Sequence, residues 1–179
     1  ELGATTSIFP TDEETRDYLE RQSRGEDFVD IGPDEDASYD DEIVVDMSEV
    51  EPLVAKPSMP DNVVPVREVA GESVEQVIIG SCTNGGYEDI LPTAKMLEGR
   101  EIDMQTEMIV APGSKQASEI LAREGWTAEL MAAGVHFSEA TCAACIGLGH
   151  VPAPDSASAR TFHRHYPRRS GLQHDPLFL

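Results

Sequence analysis

The cysteines are the residues of this chain best suited to chemistry. The sequence contains three, one in Ser81-Cys82-Thr83-Asn84 and two in Cys142-Ala143-Ala144-Cys145. Cysteine thiolates are the usual ligands of iron–sulfur clusters, and electron-transfer clusters usually take four of them. Three thiolates on a cubane cluster leave one iron open to a substrate. The cysteine count therefore favours a catalytic cluster over an electron-transfer cluster.

Other chemistries are compatible with the same three thiols. Zinc usually takes four ligands, and His136 or His150 could supply the fourth. A redox-active Cys-x-x-Cys pair normally opens a helix after a strand and needs no third cysteine. Buried thiols can also pack simply as small apolar side chains. Glycines and alanines surround Cys145, and such small residues would let backbone amides approach cluster sulfides closely.

The cysteine motifs follow segments that are typical of buried parallel strands. The apolar run at 74–80 ends just before Cys82, and a short strand at 135–137 precedes Cys142. Ligands gather where loops converge at the carboxyl edge of a parallel sheet. The pattern therefore predicts an α/β fold with strand-loop-helix units around a mostly parallel sheet. The other predicted elements are a strand at 108–111 and helices at 87–98, 118–123 and 127–133, the last two separated by Gly125.

The N-terminal part of the chain predicts one helix and one strand. Thr11 is expected to cap a helix that runs to about Gly25, and Glu14 completes a capping box. The β-branched run at 42–47 predicts a strand.

Three prolines predict a boundary after these elements. Pro57, Pro60 and Pro65 lie within nine positions, and closely spaced prolines disfavour both helix and central strand. We therefore expect two domains, 1–58 and 59–179.

Acidic residues dominate the composition. The chain has 34 Asp and Glu against 13 Lys and Arg, for a formal net charge of -21. The acids crowd residues 12–51, whereas arginines gather at 160–169. A large acid excess keeps a folded protein soluble and repels nucleic acid, and we interpret it as adaptation to a salt-rich (halophilic) cytoplasm. A disordered acidic tail is the alternative, but apolar residues interrupt the acids too regularly for that.

No membrane-spanning or leader segment is evident. No apolar run approaches the roughly 18 residues that a bilayer span needs, and no basic-then-apolar leader begins the chain. A cytoplasmic location is therefore expected.

Several short motifs resemble those of the aconitase superfamily, in the same order. They are Ile79-Gly80-Ser81-Cys82-Thr83-Asn84, Tyr87-Glu88-Asp89, Ala111-Pro112-Gly113-Ser114 and Cys142-x-x-Cys145-Ile146-Gly147. The opening segment 1–10 and the arginine-rich segment 160–171 are similar as well, so the resemblance covers essentially the whole chain. It implies that 1–58 is the end of a preceding aconitase-like α/β domain and that 59–179 is a cluster-bearing aconitase-like domain, truncated at its C-terminus.

The resemblance also implies a cofactor and its ligands. Cys82, Cys142 and Cys145 match the three thiolates of a [4Fe-4S] cluster, whose fourth iron would bind a substrate carboxylate and hydroxyl. That iron would act as a Lewis acid that makes hydroxide a better leaving group.

Four further residues match active-site positions of the family. Glu1 matches a glutamate near the iron-bound hydroxyl. Arg164 and Arg169 match active-site arginines, whose guanidinium forks suit polycarboxylates. His163 stands where an asparagine that hydrogen-bonds near the cluster is usual. Departures from the family's usual residues also occur at Ala143, His165 and Arg168.

The resemblance implies a hydro-lyase acting on a small tricarboxylate or hydroxy acid. Tyr87-Glu88-Asp89 and Cys145-Ile146-Gly147 resemble aconitases more than isopropylmalate dehydratase large subunits. Interconversion of citrate and isocitrate through cis-aconitate, a tricarboxylic acid cycle reaction, is therefore the first expectation. Homoaconitase or 3-isopropylmalate dehydratase chemistry is the alternative. A non-catalytic metal-cluster or redox-responsive module that binds RNA is an alternative of another class, which the acidic surface disfavours.

The family's catalytic base implies a partner. This serine lies on a mobile final domain that follows the matched segment, as do further substrate arginines. We therefore expect the chain to be a piece of a larger enzyme, inactive by itself. The remaining domains would come from the same enzyme or from a partner subunit.

Overall fold

A computed structural model describes residues 5–57, 59–142, 144–154, 156–162 and 169–170, and the backbone of residues 177–178. The chain divides into two compact units, Glu1–Val50 and Glu51–Leu179. The division lies after Val50, whereas the prolines led us to expect it at residue 58. The assignment of the two units to domains of the aconitase superfamily stays a prediction.

The first unit contains helix α1, Glu13–Arg21. Its N-cap is Asp12, whose carboxylate accepts from the Thr15 amide at 2.9 Å, and the Thr15 hydroxyl completes a capping box. The prediction that Thr11 caps this helix was wrong, because the Thr11 hydroxyl is engaged by the backbone of Val29 and Ile31 instead. The helix also ends before the predicted Gly25.

The predicted strand at 42–47 is not present. Residues 41–46 have no regular structure, and a single 3₁₀ turn follows at Met47–Glu49. Ile43 and Val44 are 76% and 80% exposed. β-branched residues favour strands mainly through packing on neighbouring strands, and this segment has no such neighbour among the described residues.

Where the structure describes the second unit, seven strands form two sheets. A short antiparallel pair, β1 and β2, spans the proline-rich segment, and Pro65 is the last residue of β2. The other five strands form a sheet in the order β5-β4-β3-β6-β7, and each neighbouring pair is parallel. This confirms the predicted α/β fold. The strands are β1 (Leu53–Ala55), β2 (Val63–Pro65), β3 (Gln76–Gly80), β4 (Glu107–Ala111), β5 (His136–Phe137), β6 (Ser158–Arg160) and β7 (Leu177–Phe178).

Four helices connect strands β3, β4 and β5 of the parallel sheet, two in each connection. They are α2 (Ser81–Asn84), α3 (Tyr87–Leu97), α4 (Lys115–Arg123) and α5 (Trp126–Ala132). Gly125, at φ 87°, separates α4 from α5 as expected. Ser114 caps α4 by accepting a hydrogen bond from the Ala117 amide. Pro92 lies inside α3, further along than the first turn where proline is best tolerated.

The two faces of the parallel sheet are covered differently. Side chains of β3 and β4 on one face pack against α3, α4 and α5, around the fully buried Ile90, Leu121 and Leu130. On the other face, Ile78 and Ile109 pack against a cluster of Ala144, Cys145 and Phe162. The loop that carries Cys145 is therefore part of the core, and the sheet fixes its position.

Candidate metal centre

The turn after β3 places Cys82 at the carboxyl edge of the sheet. Gly80 has φ 114°, and a Cβ atom there would lie 2.0 Å from the carbonyl oxygen of Ala111 on β4. Only glycine fits so close to a neighbouring strand. Ser81 follows with φ 66°, in the left-handed region that side chains seldom adopt, and it is buried. The chain thus leaves the sheet through a constrained turn that presents Cys82 in α2.

The Cys82 thiol is exposed and has polar neighbours. Its sulfur lies 3.9 Å from the Thr83 hydroxyl and 4.0 Å from the Ser81 hydroxyl. Hydrogen bonding from Thr83, and then from Ser81, lowers the pKa of the Cys82 thiol against an opposing effect of burial, and the nearby Cys142 thiol lowers this pKa further. The structure therefore brings Cys82 and Cys142 together, and it favours the thiolate that metals require.

Cys145 lies one turn further along the same loop as Cys142. A 3₁₀ turn spans Ala144–Ile146, and the Ile146 amide donates to the Cys142 carbonyl at 3.3 Å. Cys145 itself is buried. Its carbonyl oxygen accepts from Nε of Arg169 at 2.8 Å, and its sulfur accepts from Nη2 of Arg169 at 2.5 Å. Arg169, predicted as a site residue, therefore lies beside a predicted ligand.

Gly147 lets the chain near Arg169 approach this loop. It has φ 75°, and a Cβ atom there would lie 2.5 Å from the Ser170 carbonyl oxygen. Ser170 is buried, and its hydroxyl has no hydrogen-bond partner within the part of the chain that the structure describes. Ser170 therefore lies against the loop that follows Cys145.

Two residues that sequence reasoning did not assign also support the site. The Gly80 amide donates to the Thr161 hydroxyl at 3.0 Å, and the Asn84 side-chain amide donates to the Thr161 carbonyl at 2.5 Å. These bonds join the Cys82 turn to the chain that follows β6. The run of small polar residues beside Cys82, directly after a strand, is the signal that could have identified Asn84.

The three cysteines fit a cluster in ligand type. All are thiols, which suit iron–sulfur clusters, and Cys82 lies beside Cys142 while Cys145 follows on the same loop. Among the described residues, no three His, Cys, Asp or Glu side chains lie close enough together to hold a metal ion. The structure thus brings two of the predicted ligands together and pairs the third with Arg169.

The histidines considered as zinc ligands lie elsewhere. His150 Nδ1 is 2.9 Å from Oε1 of Glu107, the first residue of β4, and the His136 ring is 6.0 Å from the His150 ring. Glu107 and His150 therefore lie at the amino edge of the sheet. The five residues of β4 separate this edge from the carboxyl edge by about 13 Å. His150 therefore belongs to the opposite edge of the sheet from Cys82, which disfavours the zinc alternative.

The Glu107–His150 pair predicts a loss of stability in acid. Burial, the largest single influence, raises the pKa of Glu107, but hydrogen bonds from Gln76 and His150 and the charge of nearby histidines together lower this pKa below its ordinary value of 4.5. A carboxylate with a depressed pKa stabilises the fold above its ordinary pKa, and this stabilisation is lost as the pH falls through the folded-state value. Urea unfolding at about pH 3 to 6 should show Glu107→Gln to be less sensitive to acid than the wild type.

The control for this prediction is Glu119→Gln, the same change at an exposed position on α4. It should leave the acid dependence of the wild type unchanged. If the free energy of unfolding changed with pH equally in the two variants, Glu107 would not be the source of the acid sensitivity.

The remaining predicted site residues lie outside the described residues. These are Glu1, His163 and Arg164, and their roles stay predictions. The departures at Ala143, His165 and Arg168 also fall there.

The fold and the thiols together define a class of protein, one with a parallel α/β sheet that carries a cysteine site at its carboxyl edge. Comparison with known sequences identifies the family. The model of the aconitase family (aconitate hydratase) matches residues 1–72 and 67–179, and the chain belongs to this family.

Named relatives cover the whole chain. It is 40% identical to 3-isopropylmalate dehydratase large subunit 1 of Methanopyrus kandleri, over 100% of the chain and 43% of that relative. It is 36% identical to the 3-isopropylmalate dehydratase large subunit of Moorella thermoacetica, over 100% of the chain and 42% of the relative. The corresponding protein of Picrophilus torridus is 38% identical, again over 100% of the chain and 43% of the relative. The chain therefore spans about two fifths of the length of these relatives.

Proposed function

We propose that this chain is the cluster-bearing part of a hydro-lyase large subunit that acts on 3-isopropylmalate. The observation that carries the proposal is the set of relatives, which share 34–40% identity, span nearly all of the chain and are all named 3-isopropylmalate dehydratase large subunits. The cysteine site supports it, because its ligand type fits the chemistry of such an enzyme.

These relatives favour the alternative reading of the sequence over aconitate hydratase, which was the first expectation. The structure offers a reason why Tyr87-Glu88-Asp89 was a poor guide to substrate. The Tyr87 hydroxyl donates to Glu124 at 2.5 Å, and Asp89 accepts from the Gly86 amide at 2.9 Å. These residues hold the start of α3 and join it to the end of α4. The resemblance of this motif to aconitases therefore reflects helix packing and carries no information about the substrate.

The proposed ligands of the [4Fe-4S] cluster are Cys82, Cys142 and Cys145. When bound, the cluster would supply a Lewis acid that draws the hydroxyl group away from the substrate. The adjacent, exposed thiols of Cys82 and Cys142 would hold it at the edge of the sheet, and the lowered pKa of Cys82 supplies the thiolate. The buried Cys145 would anchor it to the core of the unit.

Substrate binding and proton transfer would use residues near this edge. We propose Arg164 and Arg169 as partners of the substrate carboxylates, His163 as a hydrogen-bond donor near the cluster, and Glu1 as a group near the departing hydroxyl. The base would come from the remaining domains of the enzyme or from a small subunit, since the relatives are named as large subunits.

A non-catalytic module that binds RNA is the weaker proposal. Binding to phosphates requires basic surface, and the formal net charge of -21 opposes it.

In the described residues no helix is both long and apolar enough to span a bilayer. The cytoplasmic location and the salt adaptation stay predictions.

The proposed substrate can be tested by comparing the activity of the enzyme on three hydroxy acids. The full-length protein, loaded anaerobically with iron and sulfide and supplied with its small subunit, is assayed with 3-isopropylmalate, citrate and homocitrate. We expect the highest kcat/KM with 3-isopropylmalate, by at least about tenfold, a ratio that a hydrophobic side-chain pocket can provide.

Two results would contradict this proposal. A preference for citrate would restore aconitate hydratase. A preparation with a full cluster and no activity on any of the three acids would favour a binding role.

A further inference from the structure

The guanidinium group of Arg169 makes two contacts with a single residue, Cys145. Nε donates to the carbonyl oxygen at 2.8 Å, and Nη2 donates to the sulfur at 2.5 Å. The guanidinium fork is planar and presents its donors in a fixed geometry. Two donors that reach the main chain and the side chain of one residue therefore fix the direction of the Cys145 sulfur.

Packing holds Arg169 in this position. Its Cζ atom lies 6.0 Å from the centroid of the Phe162 ring, within the range of a cation–π contact. Phe162 is buried and belongs to the same apolar cluster as Cys145. The following residue, Ser170, touches Gly147 in the loop after Cys145. The arginine is thus held beside the cysteine loop by the Phe162 ring and by the backbone of the adjacent Ser170, as well as by hydrogen bonds.

We propose that Arg169 is a positioning residue for the cluster, which acts by orienting the Cys145 sulfur and offsetting the negative charge of its thiolate. The inference rests on the proposed function, in which Cys145 is a cluster ligand. Hydrogen bonds to sulfur and local charge set the reduction potential of iron–sulfur clusters. Outer-shell partners of metal ligands typically contribute 10–100-fold to metal affinity. This role differs from the binding of a substrate carboxylate, which the family resemblance implies for the same residue.

The test measures the cluster with no substrate present. Arg169→Met, Arg169→Gln and Arg169→Lys are made in the full-length protein and loaded with iron and sulfide, and loss of the cluster to an iron chelator is followed by visible absorbance. We expect Arg169→Met to lose its cluster about 10–100-fold faster than the wild type. Its reduction potential should be lower, because a positive charge and a sulfur hydrogen bond are gone.

The other variants separate charge from geometry. Arg169→Lys keeps the charge but cannot span both acceptors, so its rate of cluster loss should lie between those of the wild type and Arg169→Met. Arg169→Gln, which removes the charge, should resemble Arg169→Met in potential. Arg123→Met is the matched control, since Arg123 is exposed in the last turn of α4, and it should leave both quantities unchanged.

A role confined to substrate binding predicts a different pattern. KM would rise in Arg169→Met while the rate of cluster loss and the potential stayed at wild-type values, and that result would overturn the proposal. If Arg169→Met does not fold, the Gln and Lys variants carry the same comparison.

The test also separates this inference from the proposed function. A wild-type protein that holds a cluster but does not dehydrate 3-isopropylmalate contradicts the proposed function and leaves the comparison of Arg169 variants intact. A wild-type protein that takes up no cluster overturns both.

Discussion

In the full-length protein, Cys82→Ser is expected to remove the iron–sulfur cluster and, with it, all hydro-lyase activity. A serine hydroxyl does not replace the soft thiolate that iron–sulfur clusters use. Loss of a residue that hydrogen-bonds to a metal ligand typically lowers metal affinity about 10–100-fold. Loss of the ligand itself should therefore lower the affinity for the cluster by more than about 100-fold. Cluster content is measured as iron and acid-labile sulfide per chain, together with electron paramagnetic resonance.

The neighbouring variant Thr83→Val is the control for this experiment. It removes the hydroxyl that lies 3.9 Å from the Cys82 sulfur but keeps the thiol. We expect it to retain the cluster and to lose it somewhat faster to a chelator, because the thiolate of Cys82 is less stabilised. A Cys82→Ser protein with unchanged cluster content would show that the model of three thiolate ligands is wrong.

The same preparations decide between iron and zinc. The geometry disfavours a zinc site with His136 or His150, because both histidines lie near Glu107 at the amino edge of the sheet. Stoichiometric zinc without acid-labile sulfide in the wild-type protein would contradict this conclusion.

Gly80→Ala is expected to have the largest effect on stability, lowering the free energy of unfolding by about 2–6 kcal/mol. A Cβ atom at this position would lie 2.0 Å from the Ala111 carbonyl oxygen, and the backbone has φ 114°. Both β3 and β4 are central strands of the sheet, so neither can move aside without disturbing the core. Urea unfolding measures the change, and the displaced turn should also reduce cluster loading through Cys82.

Gly71→Ala isolates the contribution of the close contact. Gly71 has φ 96°, but an added Cβ atom would meet nothing within 4 Å. The variant should therefore carry only the backbone strain, about 1–3 kcal/mol. Equal destabilisation by the two alanines would show that the approach of Gly80 to Ala111 is not important.

The central elements of the second unit could be predicted because their signals are local. The apolar run that forms β3, the helical spacing of α3 and the glycine between α4 and α5 each act within a few residues. Their order predicted a parallel sheet, and a parallel sheet has one carboxyl edge. The position of Cys82 directly after β3 was therefore available from the sequence alone.

Predictions failed where the conformation of a residue depends on contacts with parts of the chain that are distant in sequence. Thr11 had the chemistry of a helix cap, but it bonds to the backbone of Val29 and Ile31, and Asp12 takes its place. The segment 42–47 had the composition of a strand and found no partner for pairing in the described chain. In both cases the outcome depended on contacts that local propensity does not encode.

By itself, the sequence determined which residue types are present and in what order: three thiols, the strands before them and the motifs of the aconitase family. Only the tertiary structure decided which of these residues meet. It placed Cys82 near Cys142, whose loops are sixty positions apart in the sequence, and it paired Arg169 with Cys145 and His150 with Glu107. The physical reason is that side-chain contacts across a sheet are set by strand order and loop packing, which arise from the burial of the whole core.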